Sequence, residues 1–196
     1  MSAFTWPPDP SAAPRPDPSA AEPIPSAVLV PLYRDAEGTR LVLTRRRADL
    51  RRHAGEISFP GGRRDSEDRD LTETALREAE EEIGLAREQA RLLGELPATS
   101  TFATNYLIHP FVASIPAGVA WQLSPREVDA VLELSVSDLS AGRSVTTLER
   151  RGFTFQTDAY IVGEHLVWGA TARIIEHLLA QLVDEPGDPL ALREPA

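Results

Sequence analysis

The chain of 196 residues contains no cysteine and no lysine. Without thiols it can form no disulfide, no thiolate metal site and no cysteine nucleophile, a composition compatible with a reducing compartment. Positive charge is carried by arginine alone, whose forked donors match carboxylate and phosphate oxygens. There is no long apolar run, and the proline-interrupted N-terminus lacks the basic start of a signal peptide. No membrane span is expected, and a cytoplasmic location is. Thirty acidic against 20 basic residues give a net charge of -10, which argues against general binding to nucleic acid or anionic membrane. Neither G-x-S-x-G nor G-x4-G-K-[S/T] occurs, so serine-hydrolase and P-loop chemistry lack their central motifs.

What is present divides into three parts. Residues 1–25 hold eight prolines among Ser, Ala and Asp and read as an extended or disordered arm, an unpacked tail being favoured over docking through Phe4 and Trp6. Residues 26–185 read as one domain, and 186–196 as a tail. Within the domain, SAVLVPLYR and TRLVLTRR read as strands joined by a hairpin at Asp35–Gly38. Further strands are expected over Ala90–Leu96, Asn105–Ile115 (with Pro110 marking an edge or bulge), Ala130–Val136, Leu148–Gln156 and Ala159–Val162. Helices are expected over Leu71–Ile83 and about Ala170–Val183. Strands and helices mix without a βαβ repeat, which favours an α+β fold.

The densest chemistry lies in Phe59–Leu85, FPGGRRDSEDRDLTETALREAEEEIGL. Asp70 with Glu73 forms a capping pair, and Gly84 ends the helix. At about 100° per residue, Glu78, Glu81 and Glu82 share one face, Thr72, Leu76, Ala79 and Ile83 fall on a face that can bury, and Glu80 points to solvent. Like charges so close repel, and a divalent cation reverses the sign; hard oxygen ligands suit Mg²⁺ or Mn²⁺. A solvated acidic helix face is the competing reading. From residue 40 to residue 64, Arg40, Arg45, Arg46, Arg47, Arg51, Arg52, Arg63 and Arg64 face only Asp49 and Glu56. That basic run is either ordinary solubilising charge or an anion site, and it leads directly into Gly61-Gly62, where backbone can approach a phosphate or offer a carbonyl to a metal.

Gly62–Leu85 resembles the Nudix box, G-x5-E-x7-R-E-U-x-E-E-x-G-U with U aliphatic. Arg77–Leu85 fits its second half, with Ala79 standing as U. The first half departs: Gly62 to Arg77 is one residue longer, and Asp68 stands near the box's first glutamate. Val42-Leu-Thr-Arg-Arg46, Arg51, Gly55 and Phe59–Gly62 resemble the upstream extension of the coenzyme A diphosphatase branch, with Val42 and Arg47 as departures, and Trp168–Arg173 resembles that branch's C-terminal helix.

The resemblance implies a Nudix-type α/β/α sandwich with a mixed sheet, cleaving the diphosphate of coenzyme A to 3′,5′-ADP and 4′-phosphopantetheine with Mg²⁺ or Mn²⁺. It implies metal ligation by Glu78, Glu81, Glu82 and the Gly61 carbonyl, with Arg77 orienting a glutamate and Glu127 joining from a later loop. It implies substrate contacts from Arg46, Arg51, Gly61 and Gly62. A Nudix hydrolase of ADP-ribose, a dinucleotide or a nucleoside triphosphate, and a non-catalytic Nudix-like binding module, are the alternatives. His53 could bind phosphate, act in proton transfer or stand in a loop without a role; His109, His165 and His177 have no metal-like spacing; Trp168 either lies near the pantetheine end of the substrate or, the favoured reading, packs under the last helix.

Overall fold

The computed structural model describes residues 22–49, 55–101, 104–150 and 152–183. The arm through residue 21, with Phe4 and Trp6, the tail from residue 184, and Arg51, Arg52 and His53 lie outside the described residues. Two long strands, β1 (Ile24–Asp35) and β2 (Gly38–Arg46), form the expected hairpin, with Asp35 opposite Gly38. Strand β1 thus takes in Ile24 and Pro25, which the sequence assigned to the arm.

The chain continues through β3 (Ile57–Ser58), β4 (Gly61–Arg63), helix α1 (Leu71–Ile83), β5 (Arg91–Glu95), β6 (Thr99–Ser100), β7 (Tyr106–Ser114) and β8 (Val128–Ser135). These eight strands make one mixed sheet, with β1 and β7 parallel and the other pairs antiparallel. Helix α2 (Val136–Ala141) follows, then a second sheet of β9 (Arg143–Arg150), β10 (Phe153–Val162) and β11 (His165–Trp168), and finally α3 (Gly169–Val183).

The central strands read as continuous apolar runs because both faces are covered. Along β1, Ala27, Leu29 and Tyr33 join Ala75, Ala79 and Ile83 of α1 in one core. Val30 and Leu32, pointing the other way, join Tyr160, Val167, Ile174, Ile175 and Leu178 in a second. The expected α+β architecture is therefore an α/β/α sandwich, with α1 on one face of the mixed sheet and α3 with the second sheet on the other. Among the described residues, no helix is long and apolar enough to cross a membrane.

The mixed sheet forks where the site is built. Strand β1 pairs with β2 through Leu32–Asp35 but with β4 through Ser26–Val28, and the Leu29 amide donates to the Pro60 carbonyl at the branch (2.9 Å). Strand β2 leaves the fork with β8 along it and β3 at its end, Arg45 lying opposite Ile57. Gly61 fits only without a side chain: a Cβ there would stand 2.4 Å from the Ala27 carbonyl oxygen.

Three expectations change. The buried side of α1 is Thr74, Ala75, Ala79, Glu82 and Ile83, so the packed arc is rotated from the expected one; Thr72 and Leu76 are only half-buried. Pro110 lies in an inner strand, not at an edge: β7 runs between β1 and β5. Its carbonyl accepts from the Leu96 amide, so its missing N–H faces the break where pairing passes from β5 to β6. Finally, Leu148–Gln156 is not one strand but spans the turn between β9 and β10.

Candidate active site

Helix α1 starts as its sequence requires. The Asp70 carboxylate accepts from the Glu73 amide (2.9 Å), and the left-handed Gly84 (φ 70°) ends the helix by donating to the Ala79 and Glu80 carbonyls. The three glutamates then emerge in unlike surroundings. Glu82 is nearly buried, with 6% of its side chain exposed, whereas Glu81 is 60% exposed. Glu78 is largely buried and lies on Gly62, where a Cβ would come within 2.4 Å of its Oε1. The bare Gly62 backbone therefore leaves room for the Glu78 carboxylate.

Arg77 is the hub of the first half of the site. Its Nε donates to Asp68 Oδ1 (2.9 Å) and a terminal nitrogen to Asp68 Oδ2 (3.0 Å). The other terminal nitrogen reaches Glu78 Oε1 (3.0 Å) and Glu81 Oε2 (3.3 Å). Asp68 is buried, and it also accepts from the Thr74 hydroxyl (2.8 Å) and the Asp65 amide (2.8 Å). The Arg77 hydrogen bonds hold the Asp68 carboxyl well below the usual range despite its burial, and Asp68 in turn holds the guanidinium above its own. Asp68 is the residue whose role the sequence left unassigned. Its signal was the pairing of a departure from the motif with a spacing one residue too long.

The second half comes from the other branch of the fork. One terminal nitrogen of Arg46 stands 3.7 Å from Glu82 Oε1 and the other 3.6 Å from Glu127 Oε2. The Gly61 amide faces the Glu82 carboxylate and favours its charged form. Gly61 faces Val28 as a non-hydrogen-bonded pair, so its own carbonyl leaves the β1–β4 ladder on the side of that amide and of Glu82. Burial pushes the Glu82 carboxyl up to about 8, Glu78 and Glu127 adding repulsion and Arg46 easing it. Burial raises Glu78 as well, against the pull of Arg77.

The structure thus brings together Glu78, Glu81, Glu82, Glu127, Arg46, Arg77, Gly61 and Gly62. Among the described residues no three acidic or histidine side chains already converge as an ion site. Arg77 draws Glu78 and Glu81 toward itself while Arg46 stands between Glu82 and Glu127. The donor set nonetheless fits a hard divalent cation: buried carboxylates with raised pKa values, one adjacent backbone carbonyl, and no soft ligand.

Most of the other arginines are engaged elsewhere. Arg40 pairs with Asp35 and Glu37 in the hairpin turn, Arg45 with Asp129 and Arg47 with Asp49. Arg63 lies over the Tyr106 ring (5.7 Å), and Arg64 donates to the Asp68 and Arg69 carbonyls before α1. His109 meets Glu95 (2.8 Å), His165 lies in β11 and His177 in α3, none of them at this site. Glu80 points outward to Arg87, as expected.

Comparison with known proteins shows the family and the fold. The NUDIX domain model matches residues 23–153, more than half of the chain. The uncharacterized Nudix hydrolase NudL of Photorhabdus laumondii is 40% identical over 160 residues, covering 81% of this chain and 84% of that protein. NudL of Cronobacter sakazakii is 38% identical over 163 residues, covering 82% and 84%. In fold, a MutT/nudix family protein from Enterococcus faecalis superposes with a TM-score of 0.61 at 17% identity, covering 91% of this chain and 69% of that one. A C. elegans Ap4A hydrolase in a binary complex gives 0.56 at 16% identity, covering 83% and 99%. The chain therefore belongs to the Nudix hydrolase family, enzymes that act on nucleoside diphosphate derivatives.

Proposed function

We propose that this Nudix hydrolase is a coenzyme A diphosphatase of the cytoplasm, dependent on Mg²⁺ or Mn²⁺, releasing 3′,5′-ADP and 4′-phosphopantetheine. The observation that carries the proposal is Arg46. It belongs to the arginine-bearing segment that resembles the coenzyme A branch, and its guanidinium stands against Glu82 and Glu127 at 3.7 and 3.6 Å. Those separations exceed ordinary charge-assisted hydrogen bonds, so the pairing is loose and an arriving diphosphate competes for it.

Glu78, Glu81, Glu82 and the Gly61 carbonyl would hold the metal, with Gly62 leaving room for Glu78. Bound there, a divalent ion supplies neutralisation of the diphosphate charge and a water of lowered pKa. Arg77 keeps Glu78 and Glu81 in place from its anchor on Asp68. Arg46 turns from its glutamates to the substrate phosphate, and Arg51 is assigned to the same recognition. Glu127, half exposed at the mouth of the site, takes the proton of the attacking water. Residues 26–185 are the catalytic domain in this proposal.

The test is a substrate panel. Purified protein with Mg²⁺ or Mn²⁺ is offered coenzyme A, ADP-ribose, NADH and nucleoside triphosphates, and products are identified by mass. Preferred cleavage of coenzyme A to the two named products is expected. Preference for ADP-ribose would overturn the substrate, and no turnover of any compound would point to the binding-module alternative.

A further inference from the structure

The basic run divides at β4. Among the described residues, Arg40, Arg45, Arg46 and Arg47 each stand against a carboxylate, whereas no carboxylate pairs with Arg63 or Arg64. Arg64 directs its guanidinium to two backbone carbonyls. Arg63 is exposed, and its guanidinium lies over the Tyr106 ring, 5.7 Å from the centroid. Neither Glu22, which precedes β1, nor Asp65 and Glu67, which follow β4, form an ion pair with it; Asp65 accepts instead from the Ser66 hydroxyl and the Glu67 amide.

Both members of the pair are fixed by backbone. Arg63 lies opposite Ser26 and Tyr106 opposite Ile24, in ladders that run to β1 without a break in register. The Arg63 carbonyl accepts from Arg77 (3.3 Å), the same guanidinium that holds Glu78 and Glu81. The Thr101 hydroxyl accepts from the Tyr106 amide and the Thr101 amide donates to the Tyr106 carbonyl, each at 2.9 Å. Gly62 turns its bare side to Glu78, so Arg63 beside it projects to the opposite face of the sheet, where Tyr106 lies. Among the described residues β4 pairs with β1 alone, which leaves its outer edge open and accessible from both faces to a molecule lying on Gly61. From Gly61 to Arg63 the strand advances about 7 Å.

A guanidinium stacked on a ring keeps its N–H donors in its own plane, uncovered. The ring also fixes the orientation of the fork, so less side-chain freedom is lost when an anion arrives. An unneutralised, oriented fork beside the diphosphate site suits a phosphate monoester. Coenzyme A carries such a group, its 3′-phosphate, one ribose away from the diphosphate that is cleaved.

We propose that Arg63, oriented by Tyr106, is a specificity-determining residue that binds the ribose 3′-phosphate of the substrate, around the open edge of β4 from the diphosphate. This rests on the coenzyme A reading above.

Two measurements test it. In the first, wild type and Arg63→Gln are assayed with coenzyme A and with 3′-dephospho-coenzyme A, which keeps the diphosphate and loses only the monoester. The expected result is a fall in kcat/KM for coenzyme A of about tenfold or more, mainly through KM, with the dephospho compound within about twofold of wild type. In the second, the intact chain is titrated calorimetrically with adenosine 3′,5′-bisphosphate and with 5′-AMP. Wild type should bind the bisphosphate about tenfold or more tightly, and Arg63→Gln should bind the two alike. Equal losses on both substrates, no preference for the bisphosphate in wild type, or a preference that survives in Arg63→Gln overturns the assignment even if coenzyme A is hydrolysed. An Arg63-dependent preference in a protein that does not cleave coenzyme A would uphold the phosphate site and overturn the activity instead.

Discussion

Arg77 and Asp68 form a two-point ion pair nine residues apart in sequence, with N–O distances of 2.9 and 3.0 Å and only 3% of the Asp68 side chain exposed. The same guanidinium holds Glu78 and Glu81, so the placement of two proposed metal ligands depends on a carboxylate outside helix α1.

Asp68→Ala leaves Arg77 half-buried without its main partner. A loss of about 3 kcal/mol is expected, in line with breaking buried ion pairs, together with reduced metal affinity because Glu78 and Glu81 are freed. Chemical denaturation and Mn²⁺ titration read the two effects. A variant as stable as wild type would show that the pair holds nothing.

Gly61→Ala and Gly62→Ala should fail differently. A methyl at Gly61 meets the backbone of Ala27 and Val28, whereas the atoms nearest to one at Gly62 are those of the Glu78 carboxylate. Gly61→Ala is expected to lower the thermal midpoint. Gly62→Ala should fold, because Glu78 can swing away, but lose on the order of 10²-fold in kcat through ligand displacement. Circular dichroism and turnover on the same preparations distinguish them.

The helix was readable because each signal in it is local. Asp70, Glu73 and Gly84 bound a stretch whose apolar residues recur at helical spacing, and the Asp35–Gly38 hairpin was readable for the same reason. The Asp68–Arg77 pair was not, since nothing local says which face of a loop a carboxylate turns to. The buried arc of α1 was misjudged because Thr74 and Glu82 are buried by polar contacts that hydrophobic periodicity does not register: Thr74 on Asp68, Glu82 near Arg46 and the Gly61 amide. Of the two readings Pro110 allowed, an edge or a bulge, the edge fails, while the pairing beside it is irregular, because a missing donor is tolerated inside a sheet where its neighbour's pairing breaks. The basic run could not be sorted from sequence either, because the acids that neutralise Arg45 and adjoin Arg46 lie far along the chain at Asp129 and Glu127.

Acid–base linkage gives the metal-free protein a characteristic profile. Burial pushes the folded-state carboxyl of Glu82 up to about 8, above its value in the unfolded chain, and shifts Glu78 in the same direction. Such groups contribute stability below their unfolded pKa and lose it as pH rises through the folded one. Between roughly pH 5 and 9 the thermal midpoint of the metal-free protein should therefore fall, and Glu82→Gln should flatten the fall. Mg²⁺ or Mn²⁺ should raise the midpoint more at the alkaline end, since the ion binds the deprotonated carboxylates. Asp68 works with the opposite sign: its carboxyl is held low, so its contribution is kept at neutral pH and lost only in strong acid. A midpoint rising steadily across that window would contradict the assignment to Glu82.

The most direct measurement is coenzyme A turnover by Glu82→Gln beside wild type at saturating Mg²⁺, with folding checked by circular dichroism. The substitution removes the charge of the most buried glutamate of the acidic face while keeping its shape. A folded variant with turnover reduced on the order of 10³-fold is the expected result. Unchanged turnover would mean that the Glu82 carboxylate takes no part in the reaction and that the hydrolytic centre lies elsewhere.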